Sequence, residues 1–195
     1  MTATPAFPPA PPPAPTSPPP AAARVGIPGP VAVGAGLLTT ALVLGLAAAH
    51  SPAGYALILA GFPSALSAKS WLATAVLLLV LAQVTTAAGM WGRLGAKAGG
   101  WSASVHRWAG RLAVAVSVPV AVHCGYAAGL GTASPRVVVH AVLASAAYGA
   151  FVTKMLLLSR PSKAPWALPL LGGLFAASLV GVWLTSALWF FTNGS

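Results

Sequence analysis

The sequence predicts an all-α integral membrane protein, a bundle of five transmembrane helices. Charged residues make up 5% of the 195 residues, whereas soluble domains carry about 25%. Hydrophobic residues make up 57%, and five apolar segments each approach or exceed the roughly 20 residues that a helix needs to cross a bilayer core. Most of the ten Lys and Arg residues lie between these segments or near their ends, and they form no basic stripe on a polar surface. Their distribution therefore predicts a lipid bilayer as the partner and not nucleic acid.

The five predicted spans account for most of the chain after residue 30 and leave no room for a separate soluble domain. They cover residues 31–49, 71–92, 112–130, 137–158 and 166–191. A further apolar stretch, 55–62, is too short to cross. It is predicted to lie at the interface or to re-enter between helices. The predicted bundle thus occupies residues 31–192.

The first 30 residues have a different composition. They hold 12 of the 19 prolines. Proline fixes φ and lacks an N–H, so this stretch is predicted to be a disordered, polyproline-leaning cytoplasmic tail. The pattern leaves two roles open for the tail, a solvated spacer or a segment that recruits a partner domain.

The orientation follows from counting Lys and Arg on each side of the five spans. Cytoplasmic loops carry an excess of these residues. One face holds eight of the ten, and the other holds Lys69 and Arg136. The N-terminus is therefore predicted to be cytoplasmic and the C-terminus external, in the plasma membrane. Anionic lipid of the inner leaflet is a sufficient partner for the eight inner charges.

The composition also excludes several kinds of site. Because the sequence contains no Asp or Glu, a carboxylate acid–base pair, a carboxylate cage for Ca²⁺ or Mg²⁺ and a Ser-His-Asp triad are all impossible. Cys124 is the single cysteine, which excludes an internal disulfide and a cysteine-based zinc site.

Four histidines are the candidate functional residues, because an ionisable group inside a span indicates a functional site. His50 and His106 are predicted to lie at opposite membrane boundaries, outer and inner. His123 is predicted to lie about 10 Å below the outer end of the third span, and His140 about 9 Å below the outer end of the fourth, at 1.5 Å per residue. The last two would share a depth on antiparallel neighbours.

The surroundings of this histidine pair suggest a haem b site. Ala144 and Ala147 follow His140 at helical spacing and leave space for a large flat group, and Arg136 lies one turn nearer the outer surface. The iron would lie between His123 and His140. Spacing alone also allows the histidines to bond across helices, to bind a metal ion or to bind a lipid headgroup.

Other residues complete the predicted site. Arg136 and Lys69 would meet the haem propionates. His50 would lie beside the site as a proton acceptor for a quinol or an external reductant. His106 lies too far from His123 on the same helix, about 25 Å at 1.5 Å per residue, to share an iron with it. No second histidine is predicted to lie deep in the membrane near the inner face, so a second haem is not predicted.

Two stretches carry a resemblance to known proteins. "HRWAGRLAVAVSVPVAVHCGYA" and "RVVVHAVLASAAYGAFVTKM" are similar to a family of uncharacterised actinobacterial membrane proteins, as are "KSWLATAVLLLVLAQVTTA" and "WLTSALWFF". More distantly, a span that begins His-Arg-x-x-Gly and carries a later histidine resembles transmembrane b-type cytochromes and ferric-reductase-like haem proteins. That resemblance implies electron transfer through haem held by two histidines. The sequence departs from the pattern, since two helices with two histidines each are absent.

Two functions are therefore weighed. The first is a b-type cytochrome-like membrane protein with one haem near the outer face, taking part in electron transfer, for example as a subunit of a membrane oxidoreductase. The alternative is a cofactor-free membrane protein, either a small transporter or an assembly subunit, in which the histidines are structural. A proton-driven transporter normally uses an intramembrane carboxylate, and none exists here.

Overall fold

The computed structural model describes residues 27–53, 61–95, 99–131, 134–159 and 165–193. Within these ranges the chain is helical and contains no strand, so the predicted all-α class is confirmed. The helices are α1 (Gly29–Ala49), α2 (Ala65–Met90), α3 (Trp101–Val122), α4 (Pro135–Leu158), α5 (Ala167–Thr185) and α6 (Ala187–Asn193). A π-helical segment, His123–Ala128, continues α3.

The described part of the chain contains five helices that are long and apolar enough to cross a bilayer. These spans are α1, α2, α3 with its π-helical segment, α4, and α5 with α6, and they contain 21 to 28 residues each. Large apolar side chains cover the outside of the bundle, as lipid requires; Leu37 is 67% exposed and Leu46 is 69% exposed. The protein is therefore a multi-pass membrane protein. The predicted tail up to residue 26, and residues 55–60 of the predicted interfacial stretch, lie outside the described residues.

Two helices begin earlier than the apolar runs predict. Helix α2 starts at Ala65 and not at residue 71, because the side chain of Ser64 caps it by accepting a hydrogen bond of 3.1 Å from the backbone N–H of Ser67. Helix α3 starts at Trp101 and not at residue 112. Lys69 and His106 consequently lie within helices and not in or at the edge of loops.

The five spans form a closed ring. Neighbouring pairs around the ring are α1 with α4, α4 with α5, α5 with α2, α2 with α3, and the π-helical segment with α1. Helices α3 and α4 approach each other less closely than these pairs and meet through side chains: Val114 of α3 packs against the cluster of Ala147, Ala150 and Phe175. The side chains of Ser117 and Tyr148 bridge them, with 3.0 Å between the two hydroxyl oxygens.

The tightest crossing in the ring joins α1 to α4. A Cβ added at Gly36 would clash with Thr153 and with the carbonyl of Gly149, and one added at Gly149 would clash with Thr40 and with the carbonyl of Gly36. Glycines let two backbones approach closely in lipid. Each threonine also satisfies its hydroxyl on its own helix, at the carbonyl of the glycine four residues before it.

Apolar side chains fill the middle of the bundle. One cluster contains Val76, Val80 and Ala113, and joins α2 to α3. A second contains Ala147, Ala150 and Phe175, and joins α4 to α5. Leu179 packs against both clusters. Since the interior is filled at this level, open space inside the ring remains nearer the end that carries Lys69 and Arg136, called here the Lys69 end.

Candidate functional site

A cavity of about 250 Å³ lies inside the ring at the Lys69 end. All five spans contribute to its wall. Most of the lining is apolar and much of it is alanine. The polar and sulfur-bearing residues that line it are Lys69, Ser70, Cys124, Arg136, His140, Ser145, Tyr148, Thr185 and Ser186. Of the predicted site residues, the structure thus brings together Lys69, Arg136 and His140.

His140 is held in the wall by α5. Its Nδ1 atom lies 3.1 Å from the hydroxyl oxygen of Thr185. That hydroxyl has one proton, and it donates it at 2.8 Å to the carbonyl of Gly181 on its own helix. With the hydroxyl proton on that carbonyl, Thr185 accepts a hydrogen bond from Nδ1; this arrangement places the proton of a neutral imidazole on Nδ1 and leaves Nε2 as an acceptor or a ligand atom.

Arg136 is anchored to the same residue. Its guanidinium donates a hydrogen bond to the backbone carbonyl of Thr185. It also lies over the ring of Trp189, with 4.2 Å between the guanidinium carbon and the ring centroid, a cation–π contact. Thr185 thus fixes both the imidazole and the guanidinium, although sequence reasoning did not single it out.

A break between α5 and α6 makes this anchoring possible. Ser186 has φ −124° and ψ −74°, outside helical geometry, so the last carbonyls of α5 do not continue into a regular helix. Helix ends leave carbonyl groups without intrahelical partners, and Arg136 satisfies one of them. The hydroxyl of Ser186 donates back to the carbonyl of Val182 at 2.6 Å.

Lys69 contributes the second positive charge. It lies in the second turn of α2, is partly buried and lines the cavity. Among the described residues its ammonium group has no hydrogen-bond acceptor. Because the sequence contains no Asp or Glu, no carboxylate side chain of this protein can neutralise it.

The wall opposite His140 comes from the end of the third span. Pro119 lies inside α3, where it removes a backbone donor, and the π-helical segment begins four residues later. Cys124 and Gly125 of this segment line the cavity. His123 is buried, with 6% of its side chain exposed, and it is not among the lining residues. Of the two predicted ligands, His140 is thus a lining residue of the cavity and His123 is not.

His50 lies outside the cavity wall, near its edge. Its ring stacks on Tyr126 of the π-helical segment, with 4.2 Å between centroids and 22° between planes. Its Nε2 atom is buried and has no hydrogen-bond partner among the described residues. Close to His50, the backbone N–H of Leu130 donates a hydrogen bond of 3.1 Å to the backbone carbonyl of Ala47. This contact joins the end of α1 to the end of the third span.

His106 belongs to the opposite end of the bundle and joins α2 to α3. Its Nδ1 atom lies 3.1 Å from the carbonyl oxygen of Gln83 and 3.3 Å from the hydroxyl of Thr86. In return, the side-chain amide of Gln83 donates to the carbonyl of His106 at 2.9 Å. Gly110 leaves room for that amide, since a Cβ there would overlap it. His106 is thus a packing residue between two helices.

A smaller pocket of about 60 Å³ adjoins the cavity on its inner side. It shares Cys124, His140 and Tyr148 with the cavity and extends toward Val76 and Leu179. Its wall is almost wholly apolar. The two spaces together extend from the charged end of the cavity at Lys69 and Arg136, called here its mouth, to the apolar pocket at Val76 and Leu179.

The described residues contain no cluster of three or more His, Cys, Asp or Glu side chains that could hold a metal ion. Haem iron takes one or two axial ligands from the protein, so a haem site needs fewer ligating side chains than such a cluster contains. The cavity wall offers one imidazole for that purpose, His140. Two further lining residues that sequence analysis did not assign to the site are Tyr148 and Cys124.

Comparison with protein families identifies the family of the chain. Residues 28–195 match a protein family described as "Family of unknown function (DUF6529)". The chain belongs to this family. The match begins one residue before α1 and includes the whole bundle, so the proline-rich residues before position 28 lie outside it. Comparisons with curated proteins and with solved structures find no match.

Proposed function

We propose that the protein is a b-type cytochrome-like membrane protein that holds one haem in the cavity and takes part in electron transfer. The observation that supports this most is His140, an imidazole on the wall of a membrane cavity with Nδ1 bonded to Thr185. Histidines that bind a metal usually donate the other ring N–H to a neighbouring acceptor, which fixes the tautomer and the ring orientation. His140 would therefore be an axial ligand through Nε2.

The charges of the cavity suit the same group. Haem b carries two propionates, and the cavity contains Lys69 and Arg136 at its mouth and no carboxylate. The apolar and small residues around Ala73 and Ala144 would face the macrocycle. When bound, haem supplies a one-electron carrier, while the protein sets the ligand, the burial and the charges around it.

Binding a macrocycle requires the bundle to open slightly. The cavity volume of about 250 Å³ lies just below the roughly 300–1,000 Å³ of pockets that hold drug-sized ligands. Helices α3 and α4 are the pair to separate, because they approach each other less closely than the neighbouring pairs of the ring and one side-chain hydrogen bond, Ser117–Tyr148, is described between them. His123 remains the predicted second ligand. A turn of the π-helical segment by one position, about 100° on a helix, would exchange it with Cys124.

Two further parts of the proposal come from the sequence. The Lys69 end would face the outside of the plasma membrane, by the charge count on the two faces. His50, beside the cavity, would accept a proton from a quinol or another external reductant, and its buried Nε2 atom is compatible with that role.

The absorption spectrum of the purified full-length protein tests the proposal. The protein is produced in cells supplied with a haem precursor, and a second sample is incubated with haem after purification. A Soret band that sharpens and shifts after dithionite is expected. Absence of bound haem from both samples would contradict the proposal.

A cofactor-free membrane protein is the second candidate, and one observation favours it. His140 and Arg136 both have hydrogen-bond partners on Thr185, and His106 has partners on Gln83 and Thr86. These polar groups are therefore satisfied without any ligand. The same spectrum separates the two candidates.

A further inference from the structure

The cavity joins a charged mouth to an apolar interior, and one of its two cations has no hydrogen-bond partner among the described residues. Arg136 is engaged by the carbonyl of Thr185 and the ring of Trp189. Lys69 has no acceptor among the described residues. A cation at the edge of an apolar space is costly unless it is paired. The sequence contains no carboxylate side chain, so a carboxylate that pairs with Lys69 would be supplied by a bound molecule and not by a side chain of this protein.

The interior beyond Lys69 is narrow and apolar. From the mouth the wall continues through Ala73 and Ala144 to the deeper pocket of about 60 Å³, which reaches Val76 and Leu179. The space therefore suits a slender apolar group attached to a negative head. Without movement of α3 it is smaller than the roughly 300–1,000 Å³ pockets that hold bulkier ligands.

We infer that the haem-free protein binds a single-chain anionic amphiphile in this cavity. Its carboxylate or phosphate head would pair with the ammonium group of Lys69 and its chain would run past Ala144 toward Val76. Such molecules are present in the bilayer around the protein, as fatty acids and lysophospholipids. This inference does not rest on haem binding. Haem and the amphiphile would share the cavity, so each would exclude the other.

Cys124 provides a built-in reporter for the test. It is the single cysteine in the sequence and lines both the cavity and the deeper pocket. Haem-free full-length protein is purified in an uncharged maltoside detergent, and the rate at which a small thiol reagent modifies Cys124 is measured. The additions are palmitate, palmitoyl lysophosphatidate, hexadecanol or inorganic phosphate.

Both anionic amphiphiles should slow the modification several-fold, and hexadecanol should not, because it lacks the charge. Inorganic phosphate should also have no effect, since it lacks the chain. Protection by hexadecanol equal to that by palmitate would overturn the inference, and so would full protection by phosphate alone, which indicates a site for a free anion.

Variants identify the head site. Lys69→Gln should abolish the protection, whereas Lys69→Arg should retain it. Arg107→Gln is the matched control, because Arg107 is exposed at the opposite end of the bundle and, within the described residues, its guanidinium donates a hydrogen bond to Ser104. Native mass spectrometry of the same samples counts the bound amphiphile directly and decides the question if Cys124 reacts too slowly. Binding to Lys69→Gln at the wild-type level would contradict the assignment of Lys69.

Discussion

The Nδ1 atom of His140 lies 3.1 Å from the hydroxyl oxygen of Thr185, which in turn donates its proton to the carbonyl of Gly181. These two contacts hold the imidazole on the cavity wall, and with the proton on Nδ1 they leave Nε2 as the acceptor atom. It also ties the orientation of the proposed ligand to α5, close to the break that separates α5 from α6.

Thr185 is therefore expected to act as a positioning residue for the proposed haem ligand. Thr185→Val keeps the shape of the side chain and removes the hydroxyl, so the haem spectrum should broaden and the midpoint potential should shift. Thr185→Ser keeps the hydroxyl and should restore both properties. Redox titration of the three proteins checks this. Identical potentials in wild type and Thr185→Val would show that the hydroxyl does not tune the ligand.

The crossing of α1 and α4 gives a prediction about stability. Gly36→Val should destabilise the folded protein by about 1–3 kcal/mol, the usual effect of overpacking, because a Cβ at this position clashes with Thr153 and with the carbonyl of Gly149. Gly34→Val is the control on the same helix, since a Cβ there meets nothing within 4 Å. Thermal unfolding in detergent measures both. Equal unfolding temperatures for the two variants would mean that the close approach contributes nothing.

His106 is predicted to matter for stability and not for the cavity. His106→Ala removes the ring that bonds the carbonyl of Gln83 and the hydroxyl of Thr86, and the loss should cost about 1–3 kcal/mol if the remaining groups stay unpaired. Arg107→Ala, an exposed neighbour, should cost little. Neither change should alter a haem spectrum. Loss of haem from His106→Ala at temperatures where the protein remains folded would show that His106 belongs to the site.

The orientation of the bundle yields a labelling experiment. In a Cys124→Ala background, single cysteines replace Lys97, Arg160 or Thr132. An impermeant maleimide applied to intact cells should label position 132, and the other two only after the cells are opened, because Lys and Arg accumulate on the cytoplasmic side. Labelling of position 97 or 160 in intact cells would reverse the orientation and turn the cavity toward the cytoplasm.

The sequence predicts the five spans because each is a long apolar run, but it misses two helix starts for a physical reason. Lys69 interrupts the apolar pattern before residue 71, although Ser64 gives a capping signal that marks the true start of α2. In α3, His106, Arg107 and Arg111 interrupt the apolar run, so an apolar window excludes the first turns. Side chains of this kind are compatible with a helix that reaches past the bilayer core.

The arrangement of the site was less accessible to sequence reasoning. Spacing gives His123 and His140 equal depth, but depth does not determine the angle of a side chain around its helix. The π-helical segment after Pro119 changes that angle and presents Cys124 to the cavity. Likewise, chain order does not reveal that α1 packs against both α4 and the π-helical segment. Only Lys69, Arg136 and His140 of the predicted site line the cavity.

The most direct test of the central claim is the reduced absorption spectrum of haem-loaded His140→Ala, compared with His50→Ala and with His123→Ala. The proposal predicts that His140→Ala loses the low-spin spectrum and that His50→Ala keeps it, because His50 lies outside the cavity wall. Loss of the low-spin bands in His123→Ala as well would identify His123 as the second ligand. A wild-type spectrum in His140→Ala would contradict the assignment of the cavity as the haem site.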